Sequence, residues 1–379
     1  MEGKLVYKTI TTDYEDLSEF LFGEGNCFNS SEVRKRMYGM KTVIDAIESE
    51  RAEAYDGDLI SELDAKMIEL QKERQKFFDQ RAAYKKVLRE RSRQEELNEI
   101  LIDSIKSGDL PRLNYEPVKV DSSDNDLLVS LNDIHYGINI DNYWNTYNSD
   151  VCTKMLNKYL DKIISIQKTH KSENCIVWAN GDMISGNIHY SIAVQNKENV
   201  IEQIKGVSEL ISEFLAELSK HFNKVTYVSV AGNHSRIGAT KEDSLKDERL
   251  DDLVEWYLEA RLSDFDNVEI GGGNKIDETM YTISVRNRIY CGVHGDYDGS
   301  AAKVQSLQTF VGLPIYAILS GHLHHNSINE VQGIKTVMAG SFVGMDDYCI
   351  QKRIYGKPEQ LVLVCDDSGI VCSYDIQLN

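Results

Sequence analysis

The chain has 379 residues and a formal net charge of −19, with 41% hydrophobic and 9% aromatic content. That length suits one large α/β domain with an appendage, or two domains. The acidic balance excludes nonspecific adhesion of the whole surface to nucleic acid or anionic membrane, and no apolar run approaches the ~18 residues of a membrane-spanning helix.

In chain order, residues 1–58 come first as a helical region. Asn29-Ser30-Ser31-Glu32 reads as a helix start, an N-cap with an acidic group three residues on. Two short helical patterns follow, around 33–38 and 43–54, separated by Gly39; the spacing fits a helical hairpin or a helix-turn-helix. Residues 59–108 form the second region. No proline or glycine interrupts 59–106, and Glu, Gln, Lys, Arg and Leu dominate it. Leu63, Met67, Leu70, Phe77, Tyr84 and Leu88 fall on a heptad seam, the pattern of a long helix or coiled-coil arm that packs along one side. Within it, residues 72–93 carry nine basic and three acidic side chains. Gly108, Pro111 and Pro117 mark the linker.

Residues 118–379 have a different texture, alternating β and α. Apolar strands are expected over 127–131, 175–179 and 225–230. Between them lie helices whose inner stripes include Met155, Leu156, Tyr159 and Ile163, then Val200, Ile204, Val207 and Ile211. Each strand runs into a loop bearing a metal-type side chain: Asp133, Asp182, and Asn233 with His234. Sites in α/β sheets collect at the carboxyl ends of strands. After about residue 265 the pattern is strand-rich, over 281–285, 289–293, 316–319, 335–338, 360–364 and 370–376, with His294, His322 and His324 just past two of these strands. Seven scattered cysteines without metal-type pairing, and a start at Met1-Glu2-Gly3-Lys4-Leu5 without a secretory stretch, fit reduced thiols and a cytoplasmic location.

Five short motifs carry the chemistry: Asp133-Ile134-His135, Gly181-Asp182, Gly232-Asn233-His234, His294-Gly295 and Gly321-His322-Leu323-His324. Together they supply two carboxylates, one amide and five imidazoles, enough for two divalent metals with one histidine left over. Any one of these dipeptides is weak; the ordered set resembles the calcineurin-like metallophosphoesterase superfamily over roughly residues 124–345. The resemblance implies a two-sheet sandwich flanked by helices, here with an all-helical N-terminal arm.

It further implies a hydrolase acting on phosphoester bonds. Asp182 would bridge two ions through its two oxygens; Asp133, His135 and His324 would complete the first site, and Asn233, His294 and His322 the second. Mixed oxygen and nitrogen ligation without thiolate suits Mn, Fe or Zn, with Mn first. His234 would face the scissile phosphate and protonate or stabilise the leaving oxygen. Ser235 follows it where many members have an acidic residue, which leaves the pKa of His234 open. Arg236 reads as a phosphate contact or a solvated side chain; His189 and His325 are further candidates near the site, Asp296 could orient a ligand imidazole, and Phe342 could shape the cleft or fill the core.

Met183-Ile184-Ser185-Gly186 after Gly181-Asp182 departs from the serine/threonine phosphatase signature, whereas Asp133-Ile134-His135-Tyr136-Gly137 is similar to the opening of the superfamily's DNA-repair exonucleases, such as phage and bacterial members. The expected substrate is DNA. The basic helix could track its backbone, with Phe77, Phe78 and Tyr84 interleaved, or serve a homodimer or partner protein as a solvated coiled coil. The alternatives are a small-molecule phosphodiesterase or phosphatase, and an assembly protein that uses the phosphoesterase domain as a scaffold. No membrane partner is expected.

Overall fold

The computed structural model describes residues 111–116 and 118–379, apart from 189, 239–243, 246–247 and 299–300, together with 35, 38–39, 41–47, 64–81, 84–85 and 88. The chain divides into two compact units, Met1–Ser92 and Arg93–Asn379. In the first unit every described residue is helical, including Gly39, which the sequence placed between two helices. Residues 64–81 form an unbroken helical stretch within the expected arm. Met67, Leu70 and Phe77 of its seam are exposed. The expectations that rest on 1–34, 48–63 and 89–110, Leu63 among them, lie outside the described residues.

The second unit is built on two six-stranded sheets. The first contains β1 (Asp126–Ser130), β4 (Asn174–Ala179), β5 (Lys224–Ser229), β6 (Val268–Ile270), β13 (Glu359–Asp366) and β14 (Gly369–Gln377), in the order β14-β13-β1-β4-β5-β6. β1, β4, β5 and β6 run parallel, while β13 and β14 join antiparallel. The second contains β7 (Asn274–Asp277), β8 (Met280–Val285), β9 (Arg288–Val293), β10 (Ala317–Ser320), β11 (Ser327–Val331) and β12 (Ile334–Met338), in the order β11-β12-β10-β9-β8-β7. A hairpin of β2 (Ile140–Asp141) and β3 (Thr146–Tyr147) stands apart from both.

Side-chain alternation explains the layering. Along β1, Leu127 and Val129 join one buried cluster and Leu128 another, as period-two geometry requires. The first cluster packs under helices α1 (Ser149–His170), α3 (Val200–Ser219) and α4 (Asp251–Arg261). The second fills the space between the sheets, where Leu128, Trp178, Val228 and Leu363 meet Tyr281, Tyr290 and Leu319. On the far side of the second sheet, Cys291, Val293 and Ile318 pack with Val304 and Leu307 of α5 (Ala301–Val311). The result is a helix–sheet–sheet–helix sandwich.

Local signals set the helix ends. Asn148 caps α1 by accepting from Val151 N–H at 3.0 Å, and Asn199 with Glu202 forms a capping box at the start of α3. Two short helices, α2 (Tyr190–Gln195) and α6 (Asp347–Lys352), lie in the connections. No helix among the described residues is long and apolar enough to cross a membrane.

Candidate metal centre

The loops after β1 and β4 leave the sheet side by side. Asp133 N–H donates to Gly181 O at 3.2 Å, His135 N–H to Asp182 O at 2.9 Å, and Tyr136 N–H to Met183 O at 3.0 Å. Asp133, His135, Asp182, His322 and His324 all have left-handed backbone, with φ of 52°, 48°, 56°, 71° and 57°. Non-glycine residues there cost on the order of 1–3 kcal/mol each, and their concentration in these loops marks a functional site. Two glycines make room for the carboxylates. A Cβ on Gly232 would stand 2.1 Å from Asp182 Oδ1, and one on Gly321 would stand 2.3 Å from Asp133 Oδ2.

Two clusters result. In the first, Asp133 Oδ1 lies 3.4 Å from His324 Nε2 and 3.8 Å from His135 Nε2, and the two imidazole nitrogens are 3.2 Å apart. In the second, His294 Nε2 lies 3.4 Å from Asp182 Oδ2 and 3.0 Å from Asn233 Oδ1. His322 completes it, its ring centroid 4.9 Å from that of His294. Asp182 Oδ2 is also 3.8 Å from His135 Nε2, so one oxygen stands between both clusters. The other oxygen, Oδ1, accepts the His234 backbone N–H at 2.7 Å. A single Asp182 oxygen thus faces both clusters, while its neighbour accepts from the backbone. All seven side chains expected as ligands converge here.

The donors fit cations. His294 Nδ1 sits 2.6 Å from Asn180 O; a carbonyl only accepts, so Nδ1 carries the proton and Nε2 turns its lone pair toward two oxygens. Without a proton or an ion between them, those acceptors repel. Asp133 Oδ1 is likewise buried with no hydrogen-bond partner. Burial works against charge at Asp133 and Asp182, yet the imidazoles around them, His135 and His324 at the first, His294 and His234 at the second, hold both below the usual carboxylate range. Burial also opposes charge on His294, but the Asp182 carboxylate overrides it and pushes His294 up to about 10. His324 is raised in the same way by Asp133 against its own burial. A pocket that draws protons onto the buried His294 and the half-buried His324 has the field that a divalent ion would satisfy. With oxygen and imidazole donors and no thiolate, Mn, Fe and Zn suit it.

His234 belongs to the same space. Its ring meets that of His135 edge-on at 4.4 Å, and with His135 and Asp182 it forms a third close trio. Its Nδ1 lies 2.7 Å from Ser185 O, which leaves Nε2 free. Burial lowers its pKa to about 4, against the pull of Asp182 and with help from His135.

The structure also places residues that the sequence left open. Arg236 is buried and donates through Nε to Asn233 O at 2.9 Å, so it braces the ligand loop. Phe342 is fully buried core, with its N–H on Asp133 O at 3.1 Å. His325 is exposed, its Nδ1 3.0 Å from Leu323 O, and Asp296 lines the space beside Asn233 and His294. His189 lies outside the described residues. The sequence reading missed Asn180 and Asp251. Asp251 is buried, and its Oδ2 accepts from Asp182 N–H at 3.0 Å and Gly232 N–H at 2.9 Å, clamping two ligand loops together. Burial and the nearby Asp182 charge push its pKa up to about 7. An acidic pair opening a helix was the only signal, and that pattern is common.

No protein-family profile matches the chain. Along its sequence it is similar to the SPbeta prophage-derived uncharacterized protein YonJ of Bacillus subtilis (strain 168), 22% identical over 382 residues that cover 97% of this chain and 92% of that one. Among solved structures it is similar to a Vps29 single mutant from Entamoeba histolytica, at 12% identity and TM-score 0.31, over 67% of this chain and 99% of that one. A novel archaeal phosphodiesterase matches at 11% identity and TM-score 0.32, over 66% and 99%. A predicted phosphoesterase from Streptococcus pneumoniae TIGR4 matches at 10% and 0.29, over 68% and 99%. At these scores the chemistry has to be read from the site itself.

Proposed function

We propose that this chain is a metal-dependent phosphoester hydrolase with a dinuclear centre, and that its substrate is DNA. The observation that carries the first part is Asp182 Oδ2, placed between two clusters of imidazole and oxygen donors. Two divalent ions held by such a centre supply Lewis acidity and an activated water for attack on phosphorus. Asp133, His135 and His324 would hold one; Asn233, His294 and His322 the other; Asp182 would serve both.

The chain's own groups do the rest. Asn180 O fixes the tautomer and direction of His294, as partners behind a ligand imidazole commonly do. His234, held at Nδ1 by Ser185 O, offers Nε2 to the leaving oxygen. A phosphate arriving beside it adds negative charge, which favours the protonated imidazole. His234 would then take up a proton from solvent at Nε2 and give it to the departing alkoxide. Arg236 and Asp251 keep the ligand loops in register.

The nucleic-acid reading rests on the similarity of Asp133-Ile134-His135-Tyr136-Gly137 to exonuclease-type members. The basic stretch 72–93 would contribute as an arm for DNA or for a partner. The test is turnover with Mn²⁺ on single-stranded DNA, duplex DNA, RNA, cyclic nucleotides and an aryl phosphodiester. Cleavage of DNA that disappears in Asp182→Ala supports the proposal. Turnover confined to cyclic nucleotides or aryl esters moves the assignment to a small-molecule phosphodiesterase, and no turnover on any of them leaves a scaffold.

A further inference from the structure

The hairpin β2–β3 is fastened to the metal loops at its base. Tyr147 is fully buried and its hydroxyl donates to Ile134 O at 2.5 Å, between the ligands Asp133 and His135. Its tip is fastened as well. Asn142 Oδ1 accepts from Trp144 N–H and Asn145 N–H, both at 2.9 Å, which closes the turn. Asn142 Nδ2 then donates to Met345 O at 3.3 Å, and Asn145 Nδ2 to Met345 O at 3.2 Å and to Val343 O. That second loop is itself attached to the centre through Phe342 N–H on Asp133 O. A continuous set of hydrogen bonds thus joins the ligand Asp133 to the hairpin tip.

This bracing presents aromatic rings to solvent. Tyr143 is 91% exposed and Trp144 56% exposed, meeting edge-on at 5.3 Å. Beyond the second loop, Tyr348 is 61% exposed and Tyr355 77% exposed. Lys352 Nζ sits 6.0 Å above the Tyr348 ring. Residues 348–357 carry Lys352, Arg353 and Lys357 with no acidic residue, in a chain whose net charge is −19. Among the described residues neither Lys352 nor Arg353 pairs with a carboxylate, whereas the adjacent acids are engaged: Asp346 caps α6 by accepting from Cys349 N–H, and Asp347 accepts from Gln195. Rigid backbone carrying exposed rings does nothing for the core and marks a contact surface.

We propose that Tyr143, Trp144 and Tyr348, with Lys352 and Arg353, form a platform on which unpaired bases of a single-stranded nucleic acid stack while its phosphates lead to the metal centre. The inference rests on the nucleic-acid reading above and adds the strand type. Stacking suits any base, because each has a π-face, but it requires that the base be unpaired. The unpaired cations beside Tyr348 suit phosphates, and the hydrogen-bonded path to Asp133 ties the platform to the hydrolytic site. A protein partner could also use exposed aromatics and arginine; the position beside a phosphoester centre favours the strand.

The experiment measures fluorescence anisotropy of a labelled single-stranded oligothymidylate on the full chain, with Ca²⁺ in place of Mn²⁺. Tyr143→Ala with Trp144→Ala is expected to weaken binding about 10-fold or more, with metal content and melting temperature kept as checks of folding. Tyr143→Phe with Trp144→Phe retains the stacking faces and should bind like the parent. Lys352→Gln with Arg353→Gln should flatten the salt dependence by about 0.7 in log–log slope per contact. Unchanged affinity in the alanine pair overturns the platform, as does a shift in particle mass without a shift in oligonucleotide affinity, which would assign the patch to a protein partner. A parent protein that turns over an aryl diester but binds no oligonucleotide overturns both the platform and the nucleic-acid reading, and leaves the phosphoesterase standing. Aromatic-dependent binding without turnover of any diester supports the platform and removes the hydrolase.

Discussion

The two sheets contribute unlike halves of the metal centre. Every oxygen donor, Asp133, Asp182 and Asn233, comes from loops of the first sheet, whereas the second sheet sends only the imidazoles of His294, His322 and His324. The carboxylates are fully or almost fully buried, and each has one oxygen tied to the backbone N–H of a histidine loop: Asp133 Oδ2 to His322 at 2.9 Å, Asp182 Oδ1 to His234 at 2.7 Å. The carboxylates are thus countercharge and cross-brace, and in the proposed centre they would be ligands as well. The second sheet's imidazoles would serve chiefly as ligands. Removing a member of each half should therefore have different consequences.

The largest effect is expected at Asp182. Asp182→Ala should abolish binding of both ions and reduce turnover to background, because the shared oxygen, its charge and the bond to His234 N–H vanish together. His324→Ala should lose one ion only. Metal analysis of the purified variants decides it; two ions in Asp182→Ala would overturn the bridging role.

His234 isolates chemistry from ligation. His234→Ala should keep two ions and lose about 10²- to 10⁴-fold in turnover, with the smaller loss on a nitrophenyl ester whose leaving group needs no proton. Equal losses on good and poor leaving groups would rule out proton donation.

Much of this half-and-half construction was legible in the sequence, for a physical reason. Strands 127–131, 175–179 and 225–230 were readable because both faces are buried, so their apolar runs are dense; they appear as Asp126–Ser130, Asn174–Ala179 and Lys224–Ser229. Asn274–Asp277 and Ser327–Val331 escaped because they lie at the edges of the second sheet with largely exposed, polar side chains and no hydrophobic period. Helices Asp251–Arg261 and Ala301–Val311 carry weaker apolar stripes than α1 or α3. The candidate ligand motifs were readable because four of the five join a glycine to a donor-type side chain. Asn180 and Asp251 act through hydrogen bonds across the fold, which leave no local pattern. Arg236 was left open between a phosphate contact and a solvated side chain, and only the fold turns it inward onto Asn233 O.

Asp251 tests the cross-brace from behind. Asp251→Ala leaves the N–H groups of Asp182 and Gly232 buried without their acceptor, at about 1–3 kcal/mol each. Asp251→Asn keeps one acceptor oxygen, so most of that loss should be recovered. Urea denaturation of the two variants measures the difference; equal stabilities would show that the clamp contributes nothing.

The smallest effect concerns the ion-free protein and separates the halves most sharply. Loop amides of the first sheet bond to backbone carbonyls, Asp133 to Gly181, His135 to Asp182 and Tyr136 to Met183. These bonds join backbone to backbone and involve no candidate ligand atom. In the second sheet's loop, His322 N–H depends on the carboxylate Asp133 Oδ2 and Leu323 N–H makes only a tight turn to Gly321 O. Chelation would free Asp133 and His324 to move apart by removing the proposed ion between them, and with it the ligand-linked stability. Hydrogen exchange should therefore accelerate over 321–325 by a modest factor, and by less over 132–136 and 181–185. Equal acceleration in all three segments would mean that the two halves are held by the metals alike, and that the backbone pairing of the first sheet's loops does not make it the rigid side of the centre.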